Sequence, residues 1–224
     1  TRHDRSAKYL FATIQTLLNN YESFSPDEFD YIVIDESHHA MAEGYQRVLD
    51  HFKPKFLLGM TATPERMDGY GLFSYFKNNV ALEVRLFDAI DQNLVCPFHY
   101  FGVVEAEGID LSDLKDQQID ELAQRLSTHS RVDYILKQIE LYGFAGKKLK
   151  ALGFCASVKH AEFMAKEFND RGIKSIVLSG EDEVSYRIET INKLEDENDP
   201  LSVIFTRDVF NEGIDIPSLN MVLM

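Results

Sequence analysis

The sequence predicts an α/β protein of two halves, each with a mainly parallel sheet flanked by helices. Three observations carry that expectation. YIVID at 31–35 and KFLLG at 55–59 are continuously apolar rather than alternating, as in strands covered on both faces. AMAEGYQRVLDHF, between them, has helical spacing interrupted by Gly44. After residue 147 the same rhythm of apolar stretch and helical segment returns.

Taken in order, KYLFATIQ at 8–15 reads as a strand, and 16–20 as a short helical or turn segment. SPDEFD is turn material around Pro26. YIVID and KFLLGMTAT are strands, the second stopped by Pro64. VALEVRL at 80–86 and HYFGVVEAE at 99–107 are further strand candidates. The polar stretch 108–130 reads as a connector with a helix in it, capped by Ser112. KLKALGFCAS at 148–157 is the first strand of the second half. A helix follows over 158–172, with Val158, Ala161, Ala165 and Phe168 on one face, Ser157 as its cap and Gly172 at its end. KSIVLSG is a strand, and 182–196 is a helix with Val184, Ile188, Ile191 and Leu194 at helical spacing. SVIFT and LNMVLM close the series. This divides the chain into 1–106, a connector at 107–130, and 131–224.

The chain has 224 residues, 45% of them hydrophobic and 27% charged, enough to bury real cores and too apolar for disorder. Cys96 and Cys155 stand far apart, so neither a disulfide framework nor a four-thiolate zinc site is supported, and a reducing cytoplasm is expected. No apolar run is long enough to span a bilayer, and no signal peptide opens the chain, so no membrane association is expected. The net charge of −14 is not the profile of a typical nucleic-acid binder, although a local path of Lys and Arg can serve on an acidic body. A first residue other than Met, and an apolar stretch at the end, suggest an excerpt from a longer protein. The sequence assigns no oligomeric state.

The stretch IVIDESHHAM at 32–41 delivers two acids, Asp35 and Glu36, to the end of a strand. Three chemistries compete for it. Zinc binding needs HExxH or a His/Cys cluster, and ESHH has neither spacing. A paired-carboxylate hydrolase needs acids facing each other across a substrate, which neighbours on one backbone seldom achieve. A magnesium–nucleotide site fits better, because ligands of parallel sheets gather at the carboxyl ends of strands. There one acid can hold Mg2+, directly or through water, and its neighbour can take a proton from an attacking water. A solvated turn with acids near a helix N-terminus is the plain structural alternative. His38 and His39, as sequence neighbours, are expected to diverge.

Four ordered motifs resemble those of the superfamily 2 helicases and translocases. DESHH resembles their DExH box, and TATP at 61–64 the S/T-A-T motif that follows. GFCASVKHAEFMAKEF at 153–168 resembles the opening of their second lobe. FTRDVFNEGIDIPSLNMVLM at 205–224 resembles the motif with an E-G-x-D core. The resemblance implies two RecA-like lobes, both incomplete here, that bind ATP and Mg2+ between them. It assigns Asp35 to the magnesium ion, Glu36 to the attacking water, and His38 to a link between that site and Thr61 and Thr63. Those two hydroxyls would relay nucleotide state to a nucleic-acid groove, or simply cap the turn at Pro64. His39 has no such assignment. Gly213 permits close backbone approach, and Asp215 would reach the nucleotide sugar. Thr13, Gln15, Ser157 and Thr206 fall where relatives touch a nucleic-acid backbone, a contact that reads no base sequence. Phe154 and Phe205 are expected in the core, as is Cys155. The basic stretch GKKLK at 146–150 is expected to be a solvated turn.

Two family motifs are absent from the 224 residues: the G-x-x-x-x-G-K-[ST] phosphate loop and the final arginine motif, which neither Arg66 nor Arg207 matches. The expectation is therefore the middle of an ATP-dependent motor acting on DNA, or RNA, and inactive on its own. The alternative is a non-catalytic RecA-like module that binds nucleic acid or a protein partner.

Overall fold

A computed structural model describes residues 7–63, 70–103, 119–207, 209–210 and 215–224, with the backbone alone at 41 and 70–72. The chain divides into two compact units, Thr1–His99 and Tyr100–Met224.

In the first unit, helix α1 (Ile14–Leu18) leads through a one-turn helix at Tyr21–Ser23 to strand β1 (Tyr31–Ile34). A tight 3-10 helix at Ser37–Met41 runs into helix α2 (Glu43–His51), and strand β2 (Phe56–Gly59) returns parallel to β1, with Tyr31 opposite Phe56 and Ile34 opposite Gly59. Helices α3 (Tyr70–Tyr75) and α4 (Leu86–Asp91) follow. Val48 of α2 is 1% exposed and packs with Phe24 and Phe52 against Ile14, Leu17, Leu18, Phe29 and Ile32. Three of those rings, Phe24, Phe29 and Phe52, lie 5.4–6.4 Å apart, at aromatic packing distance.

Three strand expectations fail along residues 8–103. KYLFATIQ is not a strand: Thr13 turns the chain into α1 by accepting the Thr16 N–H, and Phe11 is 94% exposed. VALEVRL pairs with nothing among the described residues, and Leu82 is 81% exposed. Residues 99–103 of the third candidate carry no strand, and its remainder lies outside the described residues. Among the described residues strand propensity here meets no neighbouring strand, and an unpaired strand leaves its amides unsatisfied. The β1–β2 sheet is also open on one face, with Tyr31 and Val33 exposed, where the continuous apolar run predicted cover on both.

The second unit holds α5 (Ile119–Leu126), α6 (His129–Tyr142), β3 (Ala151–Phe154), α7 (Val158–Asp170), β4 (Ser175–Leu178), α8 (Val184–Glu195), β5 (Val203–Thr206) and β6 (Met221–Leu223). Its four strands run parallel in the order β4-β5-β3-β6, so α7 carries the chain from β3 over the central β5 to β4. Alternation then sorts the side chains. Ala151, Val203 and Phe205 face α6 and α7, with Val132, Met164 and Phe168. Leu152 and Ile204 face the other side, with Leu178, Leu194, Leu201, Phe210 and Ile216. Both faces are covered, which is why β5 reads VIFT without a charge and is buried at all four positions. Phe205 sits in this core, as expected, its ring edge-on to Phe168 at 4.9 Å.

The helical segments fall where expected, but their apolar faces are narrower. Ala161, Ala165 and Phe168 are buried on α7, whereas Val158, in its first turn, is 40% exposed. On α8 only Thr190 and Leu194 are buried, and Val184 and Ile188 stand out at 68% and 54%. Gly172 ends the α7 region at φ +84°, a conformation that a Cβ would strain. Helix α6 was not anticipated as an element, although Thr128 caps it through the Arg131 N–H. The proposed cap Ser112 lies outside the described residues.

Candidate functional site

Because β1 and β2 are parallel and in register, both chains leave the sheet at one edge. Asp35 and Glu36 follow β1, and Met60, Thr61 and Thr63 follow β2. Glu36 is left-handed, at φ 49° and ψ 46°. For a residue with a Cβ that costs about 1 kcal/mol, and hydrogen bonds on either side hold it. Asp35 Oδ1 accepts the Glu36 N–H at 3.0 Å, and the Ser37 N–H donates to the Met60 carbonyl at 2.8 Å. The reversal turns Ser37 and His38 inward, at 2% and 8% exposure, and leaves Asp35 and His39 at the surface.

His38 joins the two strand ends. Its Nδ1 lies 3.0 Å from Thr61 Oγ1, 3.4 Å from Glu36 Oε2 and 3.5 Å from Thr63 Oγ1. The Thr63 N–H donates to Thr61 Oγ1 at 3.1 Å. An ionised carboxylate can only accept, so a proton on Nδ1 suits this ring of oxygens. Nε2 is buried and has no hydrogen-bond partner among the described residues. The His38 and His39 rings do not diverge as expected. Their centroids are 4.0 Å apart at 45°, both rings rising from the 3-10 turn at Ser37–Met41.

Chemically, the edge offers a surface carboxylate at Asp35, a half-exposed one at Glu36, and an imidazole tying the second to two hydroxyls. No cluster of three or more metal-ligating side chains occurs among the described residues. A lone strand-end carboxylate is the donor set of a cation held mainly by water and phosphate, as Mg2+ is.

Thr13 and Gln15 are exposed at the start of α1, where the Thr13 hydroxyl contacts Thr16 Oγ1 at 3.0 Å. In the second unit, Asp215 is exposed, and Gly213 lies outside the described residues. Two further candidates are buried. Ser157 Oγ accepts the His160 N–H at 3.1 Å as the α7 cap and is 7% exposed. Thr206, the last residue of β5, is fully buried, and its hydroxyl has no partner among the described residues.

Nor is GKKLK a solvated turn throughout. Lys148 Nζ donates to the carbonyls of Leu194 and Asp196 at 3.2 and 2.6 Å. Lys150 Nζ, 5% exposed, donates to the Glu195 carbonyl at 2.8 Å and meets Glu197 at 2.5 Å. Both ammonium groups thus close the carboxyl end of α8, where helix carbonyls favour cations. Sequence reasoning also missed the buried Ser37 and the backbone anchor at Met60. The only sequence signal for either is Gly59, the small residue just before MTAT.

Residues 1–66 match the family described as "Type III restriction enzyme, res subunit", and residues 130–224 match "Helicase conserved C-terminal domain". IRC3 of Saccharomyces cerevisiae, assigned as an ATP-dependent helicase, is 29% identical over 227 residues, covering 96% of this chain and 32% of IRC3. A 51.5 kDa protein of a Lactococcus phage is 26% identical over 196 residues, 86% of this chain and 41% of its own length. In structure, a fragment assigned as the HsdR subunit of a type I restriction enzyme from Vibrio vulnificus superposes with a TM-score of 0.66 at 21% identity. That match covers 91% of this chain and 38% of that one, and it shows a shared fold. The chain therefore spans about a third of IRC3 and two-fifths of the phage protein.

Proposed function

The chain belongs to the superfamily 2 helicases and translocases, and we propose that it is the middle of an ATP-dependent motor that moves along nucleic acid, DNA in preference to RNA. The observation that carries this reading is the joined strand edge: Asp35 and Glu36 on one strand end, Thr61 and Thr63 on the next, with His38 between them at 3.0 Å from Thr61.

Bound ATP and Mg2+ would supply the phosphoanhydride bond and the charge that favours its cleavage. Asp35, at the surface of the strand edge, would hold the cation through an oxygen or its water shell. Glu36 would accept a proton from the attacking water, its carboxylate steadied by the Nδ1–H of His38. A change in the charge of Glu36 alters which oxygen His38 serves. Thr61 and Thr63 would pass that change to the strand β2 side of the unit. Asp215 would meet the nucleotide sugar, and Gly213 the approach of a backbone. Thr13 and Gln15, exposed on α1, would contact the nucleic-acid backbone, and Ser157 and Thr206, buried at their helix and strand ends, would do so only where the chain around them opens. We place the motor in the cytoplasm, and no helix among the described residues is long and apolar enough to cross a membrane. The division into 1–106, 107–130 and 131–224 corresponds in this reading to first lobe, connector and second lobe.

The 224 residues contain no phosphate loop and no arginine-finger motif, and an arginine finger alone contributes about 10³ to 10⁵ in rate. The isolated chain is therefore expected to release negligible phosphate. A longer form that carries both motifs is expected to hydrolyse ATP faster when DNA is added, and Glu36→Gln to abolish that rate. Stimulated turnover that survives Glu36→Gln would remove the carboxylate from its assigned role.

A further inference from the structure

Gly59 is the last residue of β2, directly below the joined edge. A methyl group there would stand 2.5 Å from Cζ and 2.9 Å from Cε2 of Phe76, and 2.9 Å from Cβ of Ser37. Carbon atoms in contact prefer about 3.5–4.0 Å, so the missing side chain is what lets both Phe76 and Ser37 approach Gly59 this closely. Phe76 directly follows α3, whose end is fixed by the Lys77 N–H on the Ser74 carbonyl and the Asn78 N–H on the Phe73 carbonyl, with Lys77 and Asn78 both left-handed. The chain downstream of Thr63 thus returns a ring to the underside of the turn upstream of it. Ser37 approaches Gly59 with its Cβ and holds the edge with its N–H, and its neighbour is His38.

We infer that Gly59 and Phe76 are positioning residues for His38. The edge of the Phe76 ring fills the space of an absent Cβ at Gly59, seats Ser37 against β2, and so sets the His38 ring on Thr61. The inference takes its functional meaning from the motor reading, but its test needs neither nucleotide nor nucleic acid. Any side chain at residue 59 pushes Ser37 and Phe76 away from β2, lengthens the Ser37 N–H bond to Met60, and swings His38 from its oxygens.

The test is side-chain NMR of the histidines, with amide exchange, on the 224-residue chain. In Gly59→Ala, the His38 Nδ1 resonance is expected to move and the protection of the Ser37 amide to fall about tenfold. Adding Phe76→Leu, which vacates the Cζ and Cε2 positions, is expected to recover at least part of both. A merely structural cost at Gly59 would lower the melting temperature without moving the His38 resonance, and that result overturns the inference, as does failure of Phe76→Leu to recover it. Should Gly59→Ala not fold, Phe76→Leu alone is read: it loosens the seat, so a His38 resonance identical to that of the parent chain overturns the inference too. Loss of ATPase in the longer form bears on the motor reading and leaves this result untouched.

Discussion

Acidification from pH 7 to pH 5 is expected to destabilise the second unit through His160. That residue lies in the first turn of α7, 4% exposed, and its Nδ1 accepts the Ala156 N–H at 3.3 Å. The acceptor at Nδ1 puts the proton of the neutral ring on Nε2, which is buried without a partner among the described residues. Burial, and secondarily the charge of Arg131, push the imidazole down from its ordinary 6.5 to about 4. In the unfolded chain the ordinary value returns. Between about pH 6.5 and pH 4 the unfolded state therefore binds a proton that the folded state refuses. Stability rises with pH across that window and is lost as pH falls through it. At pH 5 the unfolded ring is mostly charged and the folded one mostly neutral, which linkage converts to about 2 kcal/mol lost relative to pH 7. Urea unfolding followed by circular dichroism at pH 7, 6 and 5 measures it. The control is His160→Asn, which keeps an acceptor for Ala156 and removes the titration. The parent chain should lose about 2 kcal/mol more than the variant. Equal losses in the two proteins would refute the burial of a neutral ring at this position.

Ser157→Ala should cost about 1 kcal/mol in the same assay, and Ser157→Asp should recover most of it, because either side chain can accept the His160 N–H. Lys150→Met should cost about 1–2 kcal/mol and raise amide exchange at the end of α8, since it withdraws the donor from the Glu195 carbonyl and leaves Glu197 without that ammonium. Of the two thiols, exposed Cys96 should be alkylated at pH 8 within the folded protein. Cys155, pushed up to about 12 by burial, should react only after denaturation.

How much of this was legible in the sequence depended on whether a residue's role is local. The runs YIVID, KFLLG, KALGF and SVIFT announced strands because a short apolar run needs a sheet wherever it lies, and Ser157 announced the start of α7 because capping is set within four residues. KYLFATIQ and VALEVRL carry the same strand preference and form none, because a ladder also needs a partner that sequence does not display. The Asp35–Glu36 turn was readable as a strand-end acid pair. Its geometry was not, because the left-handed Glu36 is held by a bond from Ser37 to Met60, 23 positions further on. Lys148 and Lys150 read as solvent-facing charges, and only the folded chain, which brings the end of α8 to both ammonium groups, shows that they close a helix. Thr206 read as a ligand contact because its motif contains a hydroxyl there, yet the central place of β5 in the sheet buries it.

The motor reading requires that adenine nucleotide draw the edge at Asp35 and the exposed Asp215 toward one another. The direct measurement is the distance between spin labels at His39 and Ser218 in the form extended at both ends, with Cys96 and Cys155 replaced, before and after a non-hydrolysable ATP analogue and DNA. A shorter, narrower distance distribution with nucleotide, lost in Asp35→Asn, is the predicted result. An unchanged distribution at nucleotide concentrations that saturate binding would mean that the two edges do not share a ligand.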